Sequence, residues 1–438
     1  MIVIIIFFCQ LSLYPSPSPA VSDNENSDGN TRFLGLFSSA QELESIITIP
    51  SHKMTYQRRD LIEKLSWTEV ETAMEGIKTN GKLGHSVATC ASGNTIAIGG
   101  IEDYVRIYRR DGYGNYVLIG YIEENGYSVA LSANGNVAII GSNSKGKALI
   151  CQYSGSGVSW DIIRYFDSDD ASFGLAVDIS NDATIIAIGA PDLTNSTYGY
   201  VQVYSAVDDD DLFSQMGSNI VGEGNLFGKS LSISGDGSML AVGDPTGDGK
   251  VIVFENDQSG NWVQTSSQIT YYSESTTIAK YGENIDLSDD GRTLAIVGVG
   301  YNNPGIVQVF RRDYFGKWIQ VGSDLGMAYG NSGWLAEDSG WSVSLSADGY
   351  AVAIGLRKAN VVAVYRYVGG TISGSFLWKL VGGIIDNQGV SYDSEFGSSV
   401  ALSDDGNMIA IGDVAPDSWT GMARIFKLFV KEVCQVMF

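Results

Sequence analysis

An 18-residue stretch occurs seven times in this chain, and no other feature restricts the fold as much. The copies are LGHSVATCASGNTIAIGG from Leu83, NGYSVALSANGNVAIIGS from Asn125, FGLAVDISNDATIIAIGA from Phe173 and FGKSLSISGDGSMLAVGD from Phe227. YGENIDLSDDGRTLAIVG from Tyr281, SGWSVSLSADGYAVAIGL from Ser339 and FGSSVALSDDGNMIAIGD from Phe396 complete the set. Their shared glycines, Gly84, Gly126, Gly174, Gly228, Gly282, Gly340 and Gly397, stand 42, 48, 54, 54, 58 and 57 residues apart. That period suits one blade of a propeller and is too long for a leucine-rich or ankyrin unit.

Each copy reads as two short strands, SVALS-like and IAIG-like, with apolar residues at successive positions. Such runs indicate strands covered on both faces. The turn between them is Asp-Gly, Asn-Gly or Ser-Gly in six copies, where glycine supplies the positive φ of a tight hairpin. The third copy has Asn181-Asp182-Ala183, a weaker turn of the same length. A third strand follows, clearest at Val105–Tyr108, Val201–Tyr204 and Val307–Phe310, whose polar middle residue predicts one wetter face. An aromatic announces a fourth strand at Tyr116, Trp160, Phe213, Trp262, Trp318 and Trp378. The seventh unit lacks its fourth strand, and Ser66-Trp67-Thr68-Glu69-Val70, ahead of the first repeat, reads like the missing piece. The expected fold is therefore an all-β, seven-bladed propeller of four-stranded blades over residues 66–430, its ring closed by an N-terminal strand, which removes the exposed edges.

Outside the ring, MIVIIIFFCQLSL is apolar, is broken by YPSPSPA, and ends at a small-residue Ser18-Pro19-Ala20. Residues 1–20 are read as a signal peptide, too short for an ordinary transmembrane helix, although no Lys or Arg precedes Arg32. The alternative is an unprocessed apolar tail. Residues 21–65 are a polar linker with short helical segments, and 431–438 a C-terminal tail. The expected localisation is secreted or cell surface, with no membrane insertion once the signal is removed. Asn195-Ser196-Thr197 is a glycosylation sequon in a predicted loop. The formal charge of -23 argues against nucleic acid and anionic membrane surfaces, and otherwise speaks to solubility. Removal of Cys9 with the signal leaves Cys90, Cys151 and Cys434, without metal-site spacing.

Phe173-Gly174 through Gly189-Ala190-Pro191 resembles the FG-GAP repeat of integrin α chains, named for those two ends. Phe-Gly recurs at Phe227 and Phe396, and Gly243-Asp244-Pro245 is close to the second end. The resemblance spans all seven copies and implies an extracellular seven-bladed propeller used for adhesion or ligand binding. A similarity to WD repeats is weaker: Gly-His occurs once, at Gly84-His85, and no third strand ends in Trp-Asp. Several integrin-type repeats carry a calcium cage between the first two strands. Here Asp286, Ser288 and Asp290 alternate before Gly291, but Leu294 stands where the last carboxylate belongs. Calcium takes six to eight oxygens, so a solvated turn is preferred to a calcium site. The same reading is given to Asp244, Asp248 and Asp208–Asp211, and no metal or cofactor is expected.

The chain has two histidines, His52 and His85, and no zinc spacing, nucleotide loop or nucleophile elbow. The loops joining strand four to the next blade are long, acidic and aromatic. They carry Asp167, Asp169 and Asp170; Tyr271, Tyr272 and Glu274; Trp334, Glu337 and Asp338; and Tyr392, Asp393 and Glu395. Aromatic faces suit sugar rings or cationic groups, and carboxylates suit hydroxyls or basic partners. The expectation is a non-enzymatic binding or adhesion module that takes an extracellular protein or glycan on this loop face. An intracellular WD-like scaffold is the alternative, and a propeller hydrolase the third reading.

Overall fold

The computed structural model describes residues 65–430 except 72, 143–145, 171, 195, 208–211, 258, 266–267, 272–278, 300–304, 326–341, 371–375, 388–393 and 415–419. Seven antiparallel sheets follow one another, each with four main strands. The fourth sheet is representative, with Ser230–Ile233, Met239–Asp244, Lys250–Asn256 and Trp262–Gln264 in that spatial order. The first strand of every sheet touches the first strand of the next, and the last (Phe396–Leu402) touches Ser86–Thr89, so the seven first strands ring a central channel. In the seventh sheet the outer position is filled by Leu65–Glu69, antiparallel to Met422–Val430 with Leu65 opposite Val430 and Glu69 opposite Phe426. Arg424 clasps this closing strand, Nε to Glu69 Oε1 at 2.7 Å and Nη2 to Oε2 at 2.5 Å.

The run of consecutive apolar residues in each second strand has a direct cause. Seven apolar clusters fill the seven blade interfaces, so each blade is covered on both faces. All five residues of Thr95–Gly99 and all six of Met239–Asp244 and Met408–Asp413 are buried. The phenylalanines Phe173, Phe227 and Phe396 are fully buried at these seams, each worth about 1.5–3 kcal/mol of transfer free energy. In six blades the glycine at the end of the second strand lies against the repeat glycine of the next blade, among them Gly99 on Gly126, Gly141 on Gly174, Gly189 on Gly228 and Gly412 on Gly84. Two recurrent glycines per repeat thus form one contact, close enough that neither blade has room for a Cβ there.

Two local motifs complete the blade. In the hairpins a serine hydroxyl donates to the aspartate two residues on, as in Ser234 to Asp236 (2.7 Å) and Ser288 to Asp290 (2.6 Å). The backbone N–H two residues further on donates to the same carboxylate. In the third copy Ala183 adopts φ 65°, the left-handed conformation that Gly237 and Gly291 occupy elsewhere. The aromatics of the fourth strands act between blades. Trp160 Nε1 donates to Ile119 O (3.0 Å), Trp378 to Val321 O (2.8 Å) and Trp67 to Val381 O (2.9 Å). Each acceptor lies three residues after the aromatic of the preceding blade.

The third strands differ from expectation. Their polar middle residues Arg106 and Gln308 are buried, not wet. Burial is tolerated because each is paired: Arg106 with Asp103, and Gln308 with the Tyr281 hydroxyl (2.8 Å) and Asp324 (2.8 Å).

Candidate binding face and central channel

The channel wall is stitched by side chains of the first strands. Two residues after the repeat glycine, five copies carry serine, and each bonds the backbone of the next blade. Ser86 and Ser128 accept the N–H of Val129 and Val177; Ser230, Ser342 and Ser399 donate to the carbonyls of Gly282, Gly397 and Gly84. The third and fifth copies have Ala176 and Asn284 there, and these are the two copies with aspartate two residues later. Asp178 accepts Ile233 N–H at 2.8 Å and Asp286 accepts Leu345 N–H at 2.6 Å. Exchange of one stitch for the other is the signal by which sequence comparison of the copies would have found both residues. At this depth the wall is two-sided. Asp178, Ser232, Asp286 and Ser344 line one side, and Ala401, Ala88 and Ala130 the other.

At the hairpin end the channel narrows. Backbone bonds link Ala91 to Ala133, Ala133 to Asn181, Asn181 to Gly235, Gly235 to Asp289, Ala347 to Asp404 and Asp404 to Ala91. Asn181 Nδ2 donates to Asp289 Oδ2 at 2.6 Å. The bond passes Gly235, where a Cβ would stand 3.0 Å from Asp289 Cβ. Burial raises three carboxylates here, and neighbouring carboxylates add to it. Desolvation, with Asp178 and Asp289 nearby, pushes Asp286 up to about 7. Asp178 and Asp404 are pushed up to about 6, again by desolvation first and then by Asp289.

At the opposite mouth, next to the repeat glycines, stand His85, Tyr127, Lys229 and Glu283. The His85 and Tyr127 rings are 4.6 Å apart. Desolvation, reinforced by Lys82 and Arg357, lowers His85 to about 4, so it is neutral at physiological pH. Lys229 Nζ lies 2.5 Å from Glu283 Oε1. Glu283 Oε2 is buried without a partner among the described residues. The channel as a whole is a cavity of about 410 Å³.

Of the acidic and aromatic loop residues singled out from sequence, five lie among the described residues. Asp169 is exposed, Asp167 pairs with Lys147 (3.6 Å), and Asp170 caps its own turn by accepting Ser172 N–H (2.9 Å). Tyr271 packs on Tyr281 with ring centroids 6.0 Å apart. Glu395 pairs with Arg357 (3.6 Å). Tyr272, Glu274, Trp334, Glu337, Asp338, Tyr392, Asp393 and the sequon residue Asn195 lie outside the described residues, as do Asp208–Asp211 and the apolar N-terminus.

Beneath these loops sit four aspartates, of which sequence reasoning passed over three and read Asp244 as a solvated turn. Asp103, Asp192, Asp244 and Asp413 are buried at the ends of second strands or just beyond them. Asp192 accepts the N–H groups of Thr194 (2.8 Å), Ser196 (2.7 Å) and Thr197 and both threonine hydroxyls, and this holds its carboxyl well below the usual range. Asp103 accepts Ile77, Lys78 and Tyr104 N–H. Asp413 takes Ser394 Oγ (2.6 Å) and Asn387 Nδ2 (2.9 Å). Asp244 corrects the solvated-turn reading: it is fully buried and accepts the Thr246 hydroxyl at 2.5 Å, so it organises the loop from inside. Asp248 is exposed. Asp290 is the hairpin cap described above, Asp286 belongs to the channel wall, and Leu294 is fully buried. Among the described residues no three His, Cys, Asp or Glu side chains converge as a metal ion requires.

No protein-family model matches this chain, and no curated protein matches it. Solved structures do. Hydrazine synthase of Kuenenia stuttgartiensis aligns with a TM-score of 0.55 at 14% identity, over 78% of this chain and 97% of that one. The Cps50 (Swd1) β-propeller domain of Myceliophteria thermophila aligns with a TM-score of 0.53 at 12% identity, over 82% and 99%. At such identities the likeness shows the seven-bladed propeller fold alone.

Proposed function

We propose that this chain is a non-enzymatic binding module of FG-GAP-like type, secreted or displayed at the cell surface, whose loop face takes an extracellular protein or glycan. The observation that carries this reading is the set of buried aspartates under that face. Each accepts backbone or side-chain bonds from the loop segments around it, so those described segments are held in place before any partner arrives, and less conformational freedom is lost on binding. Acidic groups such as Asp167 and Asp169 stand on that face, where function tends to reside. Within the channel, neutral His85 packs on Tyr127, an arrangement that suits a spectator more than a general base.

The test is a binding screen of the full chain, expressed in a eukaryotic host, against extracellular proteins and glycans. Alanine at Tyr272, Trp334 and Tyr392 is expected to abolish any specific binding found; full retention in the triple variant would defeat the loop-face placement. N-terminal sequencing of the same preparation checks the location. A secreted chain that begins near Val21 supports the extracellular reading, and a cytosolic chain that keeps Met1 overturns it.

A further inference from the structure

We propose that this chain pairs with a second copy of itself through its hairpin end, by aromatic side chains at the outer turns of blades one and five.

Three turns between third and fourth strands share one design. In blade one Asp111 Oδ1 accepts the N–H groups of Tyr113 and Asn115, both at 2.9 Å. In blade five Asp313 Oδ1 accepts those of Phe315 and Lys317, both at 2.9 Å. In blade four Asp257 Oδ1 accepts those of Ser259 (2.8 Å) and Asn261 (3.1 Å). Gly114, Gly260 and Gly316 take a positive φ at the same step. Arg110 braces its own turn, Nε to Gly114 O at 3.0 Å, and Arg312 braces its own through Gly316 O. Blade four forms this turn with Ser259 where blade one has Tyr113 and blade five Phe315, so the fold needs no aromatic there. Yet Tyr113 is 94% exposed, and Tyr314 and Phe315 are 97% and 90% exposed. The Tyr314 and Phe315 rings meet edge to face, 5.7 Å apart. Large apolar groups held out to water mark a contact surface. On turns as constrained as these, little freedom is lost when they are covered.

The position of the turns selects the occupant. Each blade is an antiparallel meander, so its third-to-fourth turn lies at the same end as its first-to-second hairpin. Blades one and five stand three places apart in a ring of seven, almost opposite one another. A two-fold axis that exchanges blades one and five sets Tyr113 of each copy against Tyr314 and Phe315 of the other. The contact is isologous and therefore closed. Lys317, which is exposed, comes to Asp111 of the other copy in the same arrangement. An aromatic side chain covers about 150–250 Å². Three from each copy cover about 900–1,500 Å² together, the low end for a specific interface, so the dissociation constant is on the order of micromolar. The exposed hairpin aspartates Asp182, Asp236, Asp290, Asp348 and Asp405 share this face and oppose the pairing. At physiological ionic strength their repulsion is screened beyond about 8 Å. The pair leaves its two loop faces outward on opposite sides, which makes any contact of the loop face bivalent; the pairing itself does not rest on the loop-face reading.

The test is analytical ultracentrifugation of the purified full chain over a concentration series at about 0.15 M salt. Wild type is compared with Tyr113→Ser, with Tyr314→Ser/Phe315→Ser and with the triple variant. Leu193→Ser/Tyr198→Ser removes exposed apolar groups from the loop face instead. All these positions are exposed, and matching thermal melts verify the fold. The expected result is a monomer–dimer equilibrium in wild type, weakened roughly tenfold or more by either change at the turns. The triple variant is expected to be little weaker than either, because the two turns meet in one contact. The loop-face variant is expected to match wild type. A wild type that stays monomeric, or equal weakening by the loop-face variant, would overturn the proposal. So would additive effects of the two turns, since they would then meet different surfaces.

Discussion

Gly189→Ala tests the reading that paired glycines set the blade spacing. A Cβ built on Gly189 stands 2.1 Å from Gly228 O and 3.1 Å from Gly228 C. Comfortable carbon contacts begin near ~3.5 Å, so the first strand of blade four must retreat by about 1 Å from blade three. The obstacle is backbone in the first strand of the next blade, with no flexible side chain to swing aside. Overpacking of this kind costs about 1–3 kcal/mol, partly offset by about 0.4–1 kcal/mol from the stiffer unfolded chain. A net loss of about 1.3 kcal/mol follows. The ring spans residues 65–430, 366 residues by subtraction (430 − 65 + 1). At about 2.1 cal/mol/K per residue its unfolding entropy is about 0.8 kcal/mol/K, so the midpoint falls by about 2 °C. Circular dichroism melts of wild type and variant read this directly. Gly112→Ala is the control: nothing lies within 4 Å of its Cβ position, and its midpoint is expected to stay at wild type or rise by about 1 °C from the stiffer unfolded chain. If Gly189→Ala also matches wild type, close glycine contact is not what spaces the blades.

Three further outcomes follow from other contacts. Arg424→Ala removes both bonds to Glu69 and is expected to lower stability by about 1.5–3 kcal/mol, seen in urea titration together with faster proteolysis near Leu65–Glu69; unchanged proteolysis would mean the clasp does not hold the ring shut. Trp160→Phe is expected to lose about 1 kcal/mol with its bond to Ile119 O, whereas Trp318→Phe is expected to lose less, because its buried indole nitrogen has no partner among the described residues; equal losses would refute the inter-blade role of the indole. Asp286→Asn is expected to stabilise most at pH 8 and to be near neutral at pH 4. The folded-state pKa of Asp286 is raised, to about 7, so the folded chain holds a proton that the unfolded chain has released, and stability declines as pH rises from about 4 to 7. At pH 8 the wild type carries a desolvated charge that asparagine lacks; a gain of equal size at both pH values would contradict this.

How much was legible follows from the range over which each interaction acts. The hairpins are local: a Ser, an Asp and a Gly within five residues determine the turn, and it appears in the structure as read. Trp67 was readable as the seventh blade's missing aromatic because the other six copies supply the template, even though its partner strand begins at Met422, 355 positions later (422 − 67). Arg106 and Gln308 were misread as wet, since alternation alone does not reveal a buried Asp103 in the loop just before the strand or a Tyr281 hydroxyl from the first strand of the same blade. Asp244 was misread for the same reason: a carboxylate in an acidic loop looks solvated until its loop folds over it.

By itself the sequence determined the number of blades, the strand order within each and the strand that closes the ring, because these rest on period-two patterning, short turns and a repeat counted along the chain. Only the tertiary structure decided what the repeat's polar residues do. Bringing seven first strands around one axis places Asp178, Asp286, Asp289 and Asp404 in a shared desolvated space, although 226 residues separate the first from the last (404 − 178). Their mutual repulsion, and the Glu283 oxygen that has no partner among the described residues, exist only once the ring has closed.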